Sequence, residues 1–320
     1  MSELDPAGFR ADLDAKPRVL RALADAIDDG ALRWPVDPAP SRVLLTGMGS
    51  SWFAAQTAAL RLRRAGVAAV AELSSADTSW PAEPGMLVVG ISASGGSAET
   101  LDFVAGHPGH VALTNVAGSR VTEGASSVVP MLAEPEVGGV ACRSFQHTLV
   151  ALLALEEQLT GRRLRLADVV RRTADATEAL STDTTWLERT AELLDGPHGV
   201  YAIAPADRIS SALQGALMVR EGPRRPADGC ETGDWSHVDV YLTKTLEYRA
   251  LLFPGSRHDP AAREWLVSRG ATVVTVGPGA PSDAFAVRYP GDDDPLVALV
   301  TEIVVPELLA ARWWGVPRGA

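Results

Sequence analysis

The chain has 320 residues, enough for one large or two medium domains, and its 46% hydrophobic content can build a sizeable core. A formal net charge of −11 argues against nucleic acid or an anionic membrane surface as the main partner. Two cysteines far apart, Cys142 and Cys230, indicate neither a disulfide framework nor a structural zinc site. No apolar run reaches transmembrane length, and the polar, acidic Met1–Lys16 is no signal peptide, so the expectation is a soluble cytoplasmic protein.

Residues 1–40 read as a helix and a linker. Pro17–Asp28 places Val19, Leu20, Leu23 and Ile27 on one face, and Pro35, Pro38 and Pro40 break the chain after it. Strands are predicted at 42–46, 67–72, 86–91, 109–113 and 127–130, and helices at 51–65, 98–106, 119–124 and 143–160. This alternation predicts an α/β layer fold with a parallel sheet. Residues 162–196 read as a polar helical connection. The pattern then restarts, with strands at 200–203, 251–253 and 272–276 and helices at 210–220 and 259–269. Setting Gly49 on Ala206 brings Ala59-Leu60 onto Ala216-Leu217, and setting Val111 on Val273 brings Asp102-Phe103 onto Glu264-Trp265. This reads as a weak internal repeat. The domains are accordingly drawn at 41–161 and 197–320.

Two loops between a strand and a helix are rich in serine and glycine. Thr46-Gly47-Met48-Gly49-Ser50-Ser51 precedes a helix, and Ser92-Ala93-Ser94-Gly95-Gly96-Ser97 precedes another. Glycine lets backbone N–H groups turn toward an anion, serine adds hydroxyl donors, and the helix N-terminus adds partial positive charge. An ordinary capped loop uses the same residues. Trp52 spoils a GxGxxG fingerprint, and no GxxxxGK[ST] loop is present. Two such loops some forty residues apart point to one phosphate pocket at the ends of neighbouring parallel strands. In the second half, Ala204-Pro205-Ala206-Asp207 stands where Gly47–Ser50 stood, so one phosphate site is expected.

Glu221 ends a helix and His237 follows a glycine-containing loop. A carboxylate and an imidazole can together move protons on a sugar, although each also suits a plain structural role. Trp235, beside His237, fits core packing or an unusual substrate group.

Ser92-Ala93-Ser94-Gly95-Gly96-Ser97-Ala98-Glu99-Thr100 resembles the S-x-S-G-x-T/S-x-[DE]-T loop of the SIS (sugar isomerase) family, and Gly47-Met48-Gly49-Ser50-Ser51 resembles its G-x-G-[ST]-S loop. Asn115–Ser119 and Glu136–Ala141 also match its pattern. Ala216-Leu217-Met218-Val219-Arg220-Glu221 and Gly233-Asp234-Trp235-Ser236-His237 resemble the A-L-K-x-K-E helix and G-E-L-K-H loop of the isomerase half of glucosamine-6-phosphate synthase and of stand-alone phosphosugar isomerases and deaminases. The resemblance implies two tandem SIS domains, each a parallel sheet in a three-layer α/β/α arrangement. It implies that Ser50, Ser51, Ser92, Ser94 and Ser97 hold the phosphate of a phosphorylated sugar or amino sugar. Gly49, Val140 and Ala141 would meet the sugar. Glu221 would be the acid/base at C1–C2, and His237 would assist ring opening from the neighbouring subunit of a homodimer. No metal or redox cofactor is implied. The alternative is a sensor that binds a sugar phosphate without turnover.

Three departures stand out. Met218 occupies the place of the helix lysine, Ala93 that of a glutamine, and the segment Trp314–Ala320 stops short of a terminal lysine. The start Met-Ser-Glu lacks the N-terminal cysteine of a glutaminase domain, so glutamine-driven amination is not expected.

Overall fold

The computed structural model describes residues 4–279 and 285–315 of the chain. The expectations drawn from Met1-Ser2-Glu3 and from Val316–Ala320 lie outside these residues. By contact density the chain divides into two compact units. One comprises residues 18–136 and 141–171, the other residues 1–17, 137–140 and 172–320.

Helix α1 (Pro6–Asp28) runs from one unit into the other. It starts eleven residues before the predicted Pro17. The Asp5 carboxylate accepts hydrogen bonds from the N–H groups of Ala7 and Gly8, both at 3.0 Å, and Pro6 fills the first helical position, where its missing N–H costs nothing. Pro17 then sits inside the helix at the loss of one donor. The apolar series Phe9, Leu13, Leu20 and Leu23, all buried, keeps the helix continuous.

The first unit holds β1 (Arg42–Gly47), α2 (Ser50–Arg64), β2 (Ala69–Leu73), β3 (Met86–Ile91), α3 (Ala98–Ala105), β4 (Val111–Thr114), β5 (Ser127–Pro130) and α4 (Arg143–Thr160). The predicted helix at 119–124 is a single 3₁₀ turn, Arg120–Thr122. All neighbouring strands are parallel, in the order β2-β1-β3-β4-β5. β1 and β3 each carry five buried residues in a row, as strands covered on both faces require. α4 is buried from Arg143 through Glu156.

Helix α5 (Leu166–Thr182) continues into the second unit, which holds α6 (Thr185–Leu194), β6 (Val200–Ala204), α7 (Ile209–Glu221), β7 (Ala227–Glu231), α8 (Thr232–Trp235), β8 (Arg249–Leu252), α9 (Asp259–Ser268), β9 (Thr272–Val276), β10 (Ala286–Val287), α10 (Pro295–Thr301) and α11 (Val304–Trp314). Its sheet is also parallel, in the order β10-β9-β8-β6-β7. Replacing β1 to β5 by β6, β7, β8, β9 and β10 in turn maps the first order onto the second. The fold is therefore α/β, with two parallel five-stranded sheets flanked by helices. Among the described residues no helix is long and apolar enough to cross a membrane.

Candidate functional site

In the first sheet β1 leads through α2 to β2 on one side, and the chain then crosses to β3 on the other. The carboxyl ends of β1 and β3 therefore border the switch point where open parallel sheets bind ligands. Gly47 and Ile91 end these strands in register, so the two serine-rich loops leave the sheet side by side.

Gly49 precedes α2 with φ 51°, ψ −125°, and Ser50 and Ser51 form the first turn of the helix, both half-buried. In the second loop Ser92 is buried, its N–H donating to the Leu113 carbonyl at 3.1 Å and its carbonyl accepting from Gly95 N–H at 3.0 Å. Gly95 has φ 67°. A side chain there would begin 1.9 Å from Ser119 Oγ, and the Gly95 carbonyl accepts from Val121 N–H at 3.0 Å. Ser94 is exposed, and its Oγ lies 3.4 Å from Gly96 N. Ser97 precedes α3 in extended geometry, but its hydroxyl donates to Glu99 at 3.0 Å and caps no helix N–H. Glu99 accepts its own backbone N–H as well as the Ser97 hydroxyl, and both bonds hold its carboxyl below the usual range. At the loop rim the Ser94 side chain is thus exposed, whereas the Ser97 hydroxyl is engaged by Glu99.

Three buried hydroxyls brace this end of the sheet. Ser74, after β2, lies 2.8 Å from Thr46 Oγ1 at the end of β1 and 3.2 Å from Thr100 Oγ1 in the first turn of α3. Asn115, after β4, accepts from Ala133 N–H and donates to the Glu134 carbonyl, both at 2.8 Å. Glu136 caps α4, accepting from the N–H groups of Cys142, Arg143 and Ser144 and from the Ser144 hydroxyl at 2.6–3.1 Å. The sequence reading missed Ser74 and the capping role of Glu136. Ser74 lies outside the motifs, and Glu136 caps across at least six residues.

Segment 137–140 belongs to the second unit. Buried Asp12 of α1 accepts from the N–H groups of Val137 at 3.2 Å and Gly138 at 2.8 Å. Val140 is buried there and Ala141, in the first unit, is half-buried.

Glu221 and His237 also lie in the second unit. Glu221 is the last residue of α7 and half-buried, while His237 is exposed, its N–H donating to the Asp234 carbonyl at 2.8 Å. The turn before His237 is built by Glu231, whose carboxylate caps α8 by accepting from Gly233 N–H at 2.7 Å and Asp234 N–H at 3.0 Å. Trp235 is fully buried with its indole donating to the Tyr248 hydroxyl at 2.8 Å, which makes it a core residue. Met218 is buried too, on the inner side of α7. Both cysteines are free thiols, and no group of three or more His, Cys, Asp and Glu suited to a metal occurs among the described residues.

Residues 39–157 match the SIS domain family. The chain is 26% identical over 214 residues to the glutamine–fructose-6-phosphate aminotransferase (isomerizing) of Sulfurisphaera tokodaii, a match covering 63% of this chain and 35% of that protein. It thus spans about a third of that relative's length. The C-terminal domain of glucosamine-fructose-6-phosphate aminotransferase from Francisella tularensis superposes with a TM-score of 0.79 at 17% identity, covering 96% of each chain. The glucosamine-6-phosphate deaminase of Thermotoga maritima superposes with a TM-score of 0.71 at 16% identity, covering 96% of this chain and 94% of that one. The chain carries a SIS domain with homology to the isomerase domain of glutamine–fructose-6-phosphate aminotransferases.

Proposed function

We propose that the chain is a phosphosugar aldose–ketose isomerase, or an amino-sugar-phosphate deaminase/isomerase, acting on a 6-phosphorylated hexose derivative in the cytoplasm. The observation that carries this reading is the pair of serine-rich loops side by side at the switch point of the first sheet. Ser50, Ser51, Ser92, Ser94 and Ser97 bind the phosphate through hydroxyls and the N-termini of α2 and α3. Gly49, Val140 and Ala141 offer backbone groups to the sugar. The second unit acts as a second SIS domain and supplies the chemistry. His237, from the partner subunit of a homodimer, assists ring opening by moving the proton of the anomeric hydroxyl. Glu221 removes the C2 proton of the open-chain aldose while O1 gains a proton, giving an enediol. Return of a proton to C1 and loss of the O2 proton give the ketose. An amine at C2 leaves as ammonia after the same proton transfer and hydration of the resulting imine.

The test is a thermal-shift screen against 6-phosphorylated hexoses and hexosamines, followed by C2 proton exchange in deuterated water. Glu221→Gln is expected to hold the ligand with nearly unchanged affinity while exchange falls by at least about a hundredfold. Tight binding without exchange or turnover of any sugar phosphate by the wild type makes the chain a sensor instead. Absence of binding removes both readings.

A further inference from the structure

One residue that belongs to neither serine-rich loop is bonded to the supports of both. Ser74 follows β2, which pairs with β1 on the side away from β3. Its N–H donates to the Gly47 carbonyl at 3.3 Å, where the first loop leaves β1. Its hydroxyl lies 2.8 Å from Thr46 Oγ1 and accepts from Thr100 Oγ1 at 3.2 Å, and Thr100 stands in the first turn of α3, just after the second loop. Thr46 and Thr100 are fully buried and Ser74 is 5% exposed, so water does not compete for these bonds.

The loops have little else that fixes their far ends. Pairing of β1 with β3 sets where each loop starts, Gly47 beside Ile91. No such ladder reaches the point where α2 and α3 begin. Gly49 has no side chain to cap α2, and Ser97 makes no cap bond to α3 because its hydroxyl donates to Glu99. The packing of Phe103 with Leu44 and Val88 seats the middle of α3, but apolar contact is non-directional. The direction in which the α3 N-terminus points is therefore set by a polar contact, and Thr100 to Ser74 to Thr46 supplies one. At Gly47 the first loop is already close-packed: a Cβ there would stand 2.7 Å from Ser51 Cβ and 2.9 Å from the Ile91 carbonyl.

We propose that Ser74 is a positioning residue for anion binding, the tie that holds the α3 N-terminus and the first serine loop at the one separation that lets both grip the same phosphate. It rests on the reading of these loops as a phosphate site, and Ser74 itself touches no ligand. A supporting bond of this kind acts by keeping donors within a fraction of an ångström of their productive places. Without it a phosphate is held by one loop at a time.

The test is calorimetric titration of the full chain with inorganic phosphate, well below the melting temperature of every variant. Ser74→Ala and Thr100→Val are each expected to bind phosphate about five- to tenfold more weakly, the worth of one hydrogen bond. The double variant is expected to bind no more weakly than the weaker single, because both remove the same tie. Trp34→Phe, which loses the buried bond from its indole to the Ala151 carbonyl in the same unit, is expected to melt lower with unchanged phosphate affinity. Thr100→Val keeps the experiment decisive if Ser74→Ala does not fold. Wild-type affinity in both single variants overturns the proposal and leaves the phosphate site standing. So does a double variant whose loss is the product of the single losses, or an equal loss in Trp34→Phe. A wild type that binds no phosphate overturns the phosphate reading and this tie together.

Discussion

Gly49 and Gly95 both adopt positive φ, yet substitution has different consequences at the two. At Gly49 an added side chain meets nothing within 4 Å, so alanine there costs only the strain of a backbone at φ 51°, ψ −125°, a combination adopted mainly by glycine, about 1–3 kcal/mol. At Gly95 the strain of a positive φ is joined by contacts of 1.9 Å and 2.3 Å with Ser119. Gly95→Ala is therefore expected to destabilise by about 3 kcal/mol or more and to open the Ser92–Ser97 loop. Adding Ser119→Gly should recover the steric share but not the strain. Urea titrations of the three variants check this, and equal losses for Gly49→Ala and Gly95→Ala would show that crowding plays no part. The serines of both loops were legible because motif and helix start coincide in sequence. Ser74 was not, because its partners Thr46 and Thr100 meet it only once β1, β2 and α3 are in place.

Among the elements, the strands of the first sheet were readable from their continuous apolar runs. β7 was not: Ala-Asp-Gly-Cys-Glu has neither an apolar run nor alternation, and as an edge strand it needs less burial. The true start of α1 was hidden because Pro17 reads as a first-turn residue. That helix is tied down by a buried ion pair between Lys16 and Glu307 of α11, with side chains 1% and 0% exposed. Removing one partner strands a buried charge, so Lys16→Met is expected to cost about 3–5 kcal/mol. The double change Lys16→Met with Glu307→Leu should return close to wild-type stability, because two desolvated charges are replaced by apolar contact. A loss below about 1 kcal/mol for Lys16→Met would mean that water reaches the pair.

For the whole molecule, the α/β class and the sheet-by-sheet strand sequence follow from pattern, whereas the division of α1 and of segment 137–140 between two compact units depends on tertiary contacts that no local signal announces. Acid sensitivity is also a property of the whole. Burial raises the Glu302 carboxyl from 4.5 to about 6, against the opposing pull of Arg208. The folded state then binds this proton more tightly than the unfolded one. Its contribution to stability is full below about pH 4.5 and fades as pH rises past about 6, a change of about 2 kcal/mol. Glu134 and Asp294 shift the other way, held low by Arg18 in one case and by Arg172 and helix N–H groups in the other, and they favour the fold above the carboxylate range. The stability of wild type minus that of Glu302→Gln should therefore shrink by about 2 kcal/mol between pH 4.5 and pH 7. A difference that stays flat or grows would place the carboxyl in a solvated setting.

The Lys16–Glu307 pair also bears on how the chain is made. The lysine leaves the ribosome 291 residues ahead of its partner, a delay of about 15 to 60 s at ordinary elongation rates. Throughout that interval the Phe9 and Leu13 face of the nascent helix has no finished surface to dock on. The first turns of this helix are therefore among the last to reach their native seat.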